Sequence, residues 1–416
     1  MIVPLRIASI AALLAAAPAF PATPLGLEEA LRQAEAGSPQ LAAQRASADA
    51  AAALIIPAGE NPDPKLVFGI DNVPTDGADK WNVTADFMTM RRVGVMQDFV
   101  RGEKLGLREA KAAAESQREE AIIAMQRADL RREVATAWFE RFYAERAKKL
   151  VVDLAGEARL QASTSSAELA SGKASSADAI AVRGLQVSLE DRILDFDRQA
   201  RRAAATLSRW IGADAERPLG SAPNIYALGH HAGALEGDFE GHPHIAIYAP
   251  MIAAAEADLR LAQAATKPDW SVELSYAQRG PAFSNMVSLT FRMDLPVFAA
   301  RRQDPAAASK AKQLEQVRSQ AEDATRRHAA EIRASLADWE FAKTRVERYR
   351  REMVPLAEQR AQLASSAYEG ARADLASVFD ARRNVIESRL GALSAEAEVA
   401  RAWAQLAFLA PDRSAP

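Results

Sequence analysis

Four of the five histidines in this chain crowd into one stretch, GHHAGALEGDFEGHPH, as His230, His231, His242 and His244. Imidazole is the commonest metal ligand, and short His-rich tracts collect metals. A Gly-rich connector gives these rings no rigid scaffold, so solvated linker residues are the preferred reading and metal capture is the alternative. The fifth, His328 in ATRRHAAEIRAS, reads as a position on a helix face. Thioethers offer a second chemistry. Met88 and Met90 in MTMRRVGVMQDF share a face if that stretch is a strand, and soft sulfur suits Cu(I). Methionine is also an ordinary gap filler, which is the preferred reading here. There is no Walker loop, no HExxH, no GxSxG and no cysteine nucleophile, so neither an enzyme nor a resident cofactor is expected.

Elements that could position such residues begin with export. Residues 1–22, MIVPLRIASIAALLAAAPAFPA, have the layout of a secretory signal: Arg6, an apolar run from Ile7 to Ala17, then small residues. No later stretch offers some twenty consecutive apolar residues, so a transmembrane helix is not expected. Of the 416 residues 26% are charged, yet the formal net charge is −3, which argues against a nucleic-acid partner. The chain has no cysteine, so its stability must come from packing or assembly.

The sequence repeats itself. SPQL (Ser38 to Leu41) answers HPHI (His242 to Ile245), Pro64 answers Pro268, Phe99 answers Phe298, Gly172 answers Gly370 and Trp210 answers Phe408. The offset drifts only from 204 to 198, which marks two copies of one unit. We expect a first repeat over 23–217, a connector over 218–240, a second repeat over 241–410 and a tail over 411–416.

Each repeat reads as a short helix (Leu27 to Ile56; Pro250 to Ala265), a proline-marked break, two strands and a long helical hairpin. In WSVELSYA, Trp270, Val272, Leu274 and Tyr276 alternate with small or charged residues, and in VSLTFRMDL, Val287, Leu289, Phe291, Met293 and Leu295 do the same. KLVFGIDNV and WNVTADFMTMRRVGVMQDF alternate less cleanly. Strands of about ten residues with one apolar and one polar face, on an exported chain, fit an outer-membrane barrel. Four strands cannot close one, and open edges are not tolerated in lipid. Two copies would give eight strands and a filled lumen, whereas three would give twelve and a channel, so a trimer is expected.

In each repeat a helix of about sixty residues, about 90 Å long, runs from the barrel to a glycine and a matching helix returns. The turns are ELASGKASSADAIAVR around Gly172 and AYEGARADLASVFDAR around Gly370, with Asp374 as a cap candidate in the second.

This duplicated order, with YEGARADLASVFDARR, MVPLAEQRAQLASSA, MDLPVF and the paired SPQL/HPHI starts, resembles the TolC-like outer-membrane efflux factors from about Leu25 to Leu409. The resemblance implies a mainly α fold with a membrane β-barrel: a trimeric twelve-strand barrel in outer-membrane lipid, continued by an α-helical periplasmic tunnel. It implies a homotrimer that docks by its tips onto a periplasmic membrane-fusion adaptor and an inner-membrane RND-type pump. Carried over by position, adaptor contacts fall on Gly172, Lys173, Ala174, Ser175, Gly370, Ala371 and Arg372. The periplasmic gate falls on Asp178 and Asp380, with Tyr368 and Arg372 as latch residues. Ser377 stands where the first repeat has Asp178, a departure from a paired acidic ring. MTMRRVGVMQDF is similar to the strand-to-helix passage of the heavy-metal branch, although Val100 replaces its usual proline. Drug efflux or type I secretion within the same fold, and a periplasmic coiled-coil adaptor or scaffold outside it, are the alternatives.

Overall fold

The computed structural model describes residues 23–170, 176–228, 235, 237, 239–370 and 372–409. The first repeat opens with three helices, α1 (Leu27–Gly37), α2 (Pro39–Ala53) and α3 (Ile55–Gly59). One continuous helix was expected here. It breaks because the Ser38 hydroxyl accepts from the Leu41 N–H at 3.2 Å and Pro39 occupies the first turn of α2. That serine cap and that proline both favour a fresh helix start.

Strands β1 (Lys65–Asp71) and β2 (Met90–Phe99) follow. The stretch from Trp81, expected as strand, turns instead. Asn82 Oδ1 accepts from the N–H groups of Thr84 and Ala85 at 2.9 and 3.1 Å, and Asp86 Oδ1 accepts from the Met88 N–H at 2.7 Å. Such side-chain turns compete with strand pairing. Met88 therefore sits in a turn ahead of β2 and does not share a strand face with Met90, which corrects the sequence expectation.

Helix α4 (Gly102–Ala170) is 69 residues long, about 100 Å at 1.5 Å per residue. Helix α5 (Ser176–Ile211) returns over only 36 residues. It stops where Gly212 takes φ 61, the left-handed conformation that ends helices. The second repeat follows the same plan: α6 (Pro243–Ala246), α7 (Tyr248–Ala264), β3 (Trp270–Gln278), β4 (Met286–Met293), α8 (Gln303–Arg348), a π-helical turn (Tyr349–Met353), α9 (Val354–Glu369) and α10 (Leu375–Ala407). Both returning helices are about half the expected length. The rest of the way back to the sheet is occupied by α2 and α7, which pack along α4.

The π turn precedes Pro355, which has no N–H to give to the preceding turn. The Tyr349 ring, at the start of this turn, rests on Gly391 of α10, where an added Cβ would lie 2.7 Å from the ring. The main core forms where the two repeats meet, around Leu31, Trp138, Leu207, Ile332, Trp339 and Leu406. A smaller cluster of Val151, Leu154, Leu189 and Ile386 joins α4, α5 and α10 further along. Asp258 of α7 receives Lys111 of α4 at 2.8 Å and Lys310 of α8 at 3.0 Å, so one carboxylate ties three helices.

Candidate functional site

All four strands lie in one antiparallel sheet in the order β1-β2-β3-β4, with β1 and β4 at its edges. The pairing sets Leu66, Val95, Leu274 and Leu289 in one row across the sheet, and Phe68, Val93, Tyr276 and Val287 in the next. Every one of these side chains is exposed, Phe68 by 75% and Val287 by 71%. The opposite face is mostly polar, and on β3 it is covered: Ser271, Glu273 and Ser275 are buried, whereas Ser288 and Arg292 on the edge strand β4 are exposed. This inverts the pattern of a sheet on a soluble core, in which the apolar face is the hidden one.

A row of charges crosses the polar face, one from each strand and alternating in sign, and Lys65 pairs with Asp98 on the same face at 2.6 Å. Arg92 Nε stands 3.2 Å from Asp71 Oδ2, Arg92 Nη1 donates to Glu273 Oε1 at 3.0 Å and Arg292 Nη2 to Glu273 Oε2 at 2.6 Å. Glu273, at 2% exposure, is thus held between two guanidiniums. Gly94 faces Ser275 across the strands on this side, and an added Cβ would fall 2.6 Å from that of Ser275.

At the helix end of the sheet Phe99 stacks on Trp270 with centroids 4.3 Å apart, and Leu295, Val297 and Phe298 are exposed. Lys104 Nζ donates to Asp269 Oδ2 at 2.8 Å and to the Lys267 carbonyl at 2.7 Å, tying the first repeat's strand-to-helix passage to the second repeat. At the far end the two strand-connecting loops clasp each other. Arg279 donates to the Phe87 carbonyl, and Phe87 meets Phe283 edge-on at 6.5 Å.

The helix ends follow the sequence expectation for the second hairpin. Helix α9 ends at Glu369, and the Gly370 N–H donates to the Ser366 carbonyl at 3.1 Å. Gly370 has φ −81, so this turn does not use the left-handed conformation open to glycine. Asp374 caps α10 by accepting from the Ser377 N–H at 2.9 Å, and this side-chain and backbone hydrogen bonding to Ser377 holds its carboxyl below the usual range. Arg372 is exposed at this tip, and Asp380 is exposed and paired with Arg383 at 3.0 Å. Tyr368 lies in the last turn of α9. Gly172, Lys173, Ala174, Ser175 and Ala371 lie outside the described residues; Asp178 falls in the first turn of α5.

The histidines are arranged differently from the expectation of solvated linker residues. His230 and His231 lie outside the described residues. His242, at 1% exposure, and His244 meet His328 of α8, which sequence spacing placed on a helix face. His242 Nδ1 and His328 Nε2 are 2.9 Å apart, and His244 Nε2 stands 3.2 Å from Asp129 Oδ1. Burial, then the neighbouring His242 and His244, push His328 down to about 4. Burial also lowers His244, against the pull of Asp129. The available signal for His328 was its spacing with Ala329 and Ile332 on the buried face of α8. Among the described residues no group of three histidine, cysteine or acidic side chains is placed to hold a metal ion.

Among the described residues, no helix is long and apolar enough to cross a membrane. No protein-family model and no curated protein sequence matches this chain. Solved structures do. The outer membrane protein VceC of Vibrio cholerae superposes with a TM-score of 0.75 at 17% identity, over 92% of this chain and 95% of that one. CusC, described through the conformational changes of its folding and transmembrane channel formation, gives 0.75 at 16%, over 92% of each chain. The open state of the MtrE outer membrane channel of Neisseria gonorrhoeae gives 0.74 at 15%, over 92% of this chain and 88% of that one. The chain has the fold of these outer-membrane channels.

Proposed function

We propose that three copies of this chain form the outer-membrane duct of a tripartite efflux system. The observation that carries this reading is the inverted sheet: an apolar band exposed across all four strands, a charged opposite face and, among the described residues, two strand edges without partners. An apolar band of this kind is at home in lipid, and lipid does not tolerate open edges, so copies must close the sheet into a barrel. Twelve strands give a lumen wide enough to conduct. The helical hairpins extend that lumen as a tunnel into the periplasm.

In this mechanism an inner-membrane RND-type pump supplies the free energy and a periplasmic adaptor engages the tips at Gly172, Lys173, Ala174, Ser175, Gly370, Ala371 and Arg372. The helices then loosen at the level of Asp178 and Asp380, where Tyr368 and Arg372 act as latches. Cargo diffuses out through the barrel, and the chain itself hydrolyses nothing. The favoured cargo is heavy-metal cations, on the resemblance of MTMRRVGVMQDF; drug efflux is the second reading, since a conduit need not bind what it passes.

The test is a growth and metal-content panel on a deletion strain, with and without the gene restored, across copper, silver, zinc, cobalt, cadmium and hydrophobic drugs. Sensitivity to a group of metals, reversed by complementation, supports the metal cargo. Sensitivity to drugs alone keeps the duct and removes the metal assignment. Sensitivity to neither, with the protein present in the outer membrane, contradicts the efflux role.

A further inference from the structure

The histidine motif is the one sequence feature that the duct does not use, and its geometry departs from the internal repeat. Ser38 of the first repeat and His242 of the second occupy matching positions, each just ahead of a helix that starts with proline. Ser38 caps its helix in the ordinary way. His242 makes no capping bond to α6; its ring turns instead to His328 on α8, 86 residues along the chain. A helix start has given up its side-chain cap so that two imidazoles can meet. Positions where a local rule is broken without local gain are where function is expected.

The contact sits at a joint. His242 belongs to the segment that enters the second repeat, and His328 to the helix that carries the second hairpin away from the sheet. Phe239 closes over both rings, at 5.3 Å from His242 and 6.1 Å from His328. The bond between the rings requires one bare nitrogen to accept and one N–H to donate. We propose that the His242–His328 contact is an acid-released latch that fastens the second hairpin to the entry of its repeat at neutral pH and lets go when His328 is protonated.

The charges around the pair favour this. Asp129 and Arg132 of α4 and Glu331 of α8 act on the neighbouring His244 of α6, and Glu240 lies in the turn before His242. Asp129 is engaged by His244. The groups that act on a charge at His328 are His242 and His244, and both oppose it. A proton on His328 would therefore be buried beside two further imidazoles, a cost avoided by opening the joint. The sign follows: His328 is lowered from 6.5 to about 4 in the closed joint, so closure is at full strength above 6.5 and weakens as the pH falls from there toward 4. For this one group the opening constant rises about twentyfold between pH 7 and pH 5.

The test is hydrogen–deuterium exchange on the full-length protein in detergent, at pH 7 and pH 5, corrected for intrinsic exchange rates. Peptides covering 239–247 and 322–334 should lose protection in acid by about that factor, while the core around Trp138 should not. His328→Gln keeps a donor at the Nε2 position without titrating, so it should remain protected at pH 7 and lose the acid dependence. His242→Asn, with its amide nitrogen or oxygen at the Nδ1 position, serves as the second variant if the first fails to fold. His244→Gln should retain most of the acid response. No acid-dependent loss in the wild type, or an unchanged loss in His328→Gln, overturns the latch. A response abolished by His244→Gln and by neither of the other two overturns it as well.

Discussion

The indole N–H of Trp339 donates to the carbonyl oxygen of Ile225 at 3.0 Å, and both residues are buried. Trp138 makes the same bond to Leu25 at 3.2 Å. In each repeat, then, the outgoing helix of the hairpin is bolted to the segment that leads into that repeat. Replacing either indole by phenylalanine removes a buried donor and some packing. We expect Trp138→Phe and Trp339→Phe each to cost about 1–3 kcal/mol, measured by denaturant unfolding in detergent followed by circular dichroism.

Gly391 should resist enlargement. A Cβ there meets the ring of Tyr349, the first residue of the π turn. Gly391→Ala is expected to destabilise by about 1–3 kcal/mol. Tyr349→Leu in the same chain should recover part of the loss, because the clash is with the ring; thermal unfolding of the single and double variants checks both statements.

The repeats were legible because proline and glycine punctuate them at matching positions, and because the strands alternate in WSVELSYA and VSLTFRMDL. The sheet face, the hairpins and the Asp374 cap followed from local pattern alone. The first strand pair was blurred because Asn82 and Asp86 fold their own backbone into turns, which apolar alternation does not reveal. The shorter returning helices were missed because their neighbours α2 and α7 come from distant sequence. His328 was missed for the same reason: its partner lies in another element, and a lone histidine in a helical pattern carries no sign of what it faces.

Acid should weaken the joint between α4, α7 and α8 by a second route. Burial raises the carboxyl of Asp258, but hydrogen bonds from Lys111 and Lys310 outweigh it and hold the group below its usual 3.8. A depressed carboxylate stabilises the fold above 3.8, and that contribution is lost as the pH drops below this value. Asp258→Asn should therefore be less stable than the wild type at pH 7, and the gap should narrow below pH 4. Parallel melting curves from pH 3 to pH 7 measure it.

At the second tip, Gly370→Pro removes the N–H that donates to the Ser366 carbonyl. Its φ of −81 is otherwise open to proline, so the helices should survive and assembly should persist. The expected outcome is lost export with trimers still present on non-denaturing gels. Full export in this variant and in Gly172→Pro would remove the tip assignment.

The central claim is that this sheet stands in lipid with its apolar face outward, and the chain's lack of cysteine makes that directly measurable. Ser288 and Leu289 are neighbours on β4 and point to opposite faces. Ser288→Cys and Leu289→Cys would be made singly and exposed, in outer-membrane vesicles, to a small water-soluble maleimide. The account predicts that the Ser288→Cys thiol reacts from the lumen while the Leu289→Cys thiol is shielded by lipid, with the same alternation continuing to Thr290→Cys and Phe291→Cys. Equal labelling along the strand, or labelling of the apolar positions alone, would contradict it.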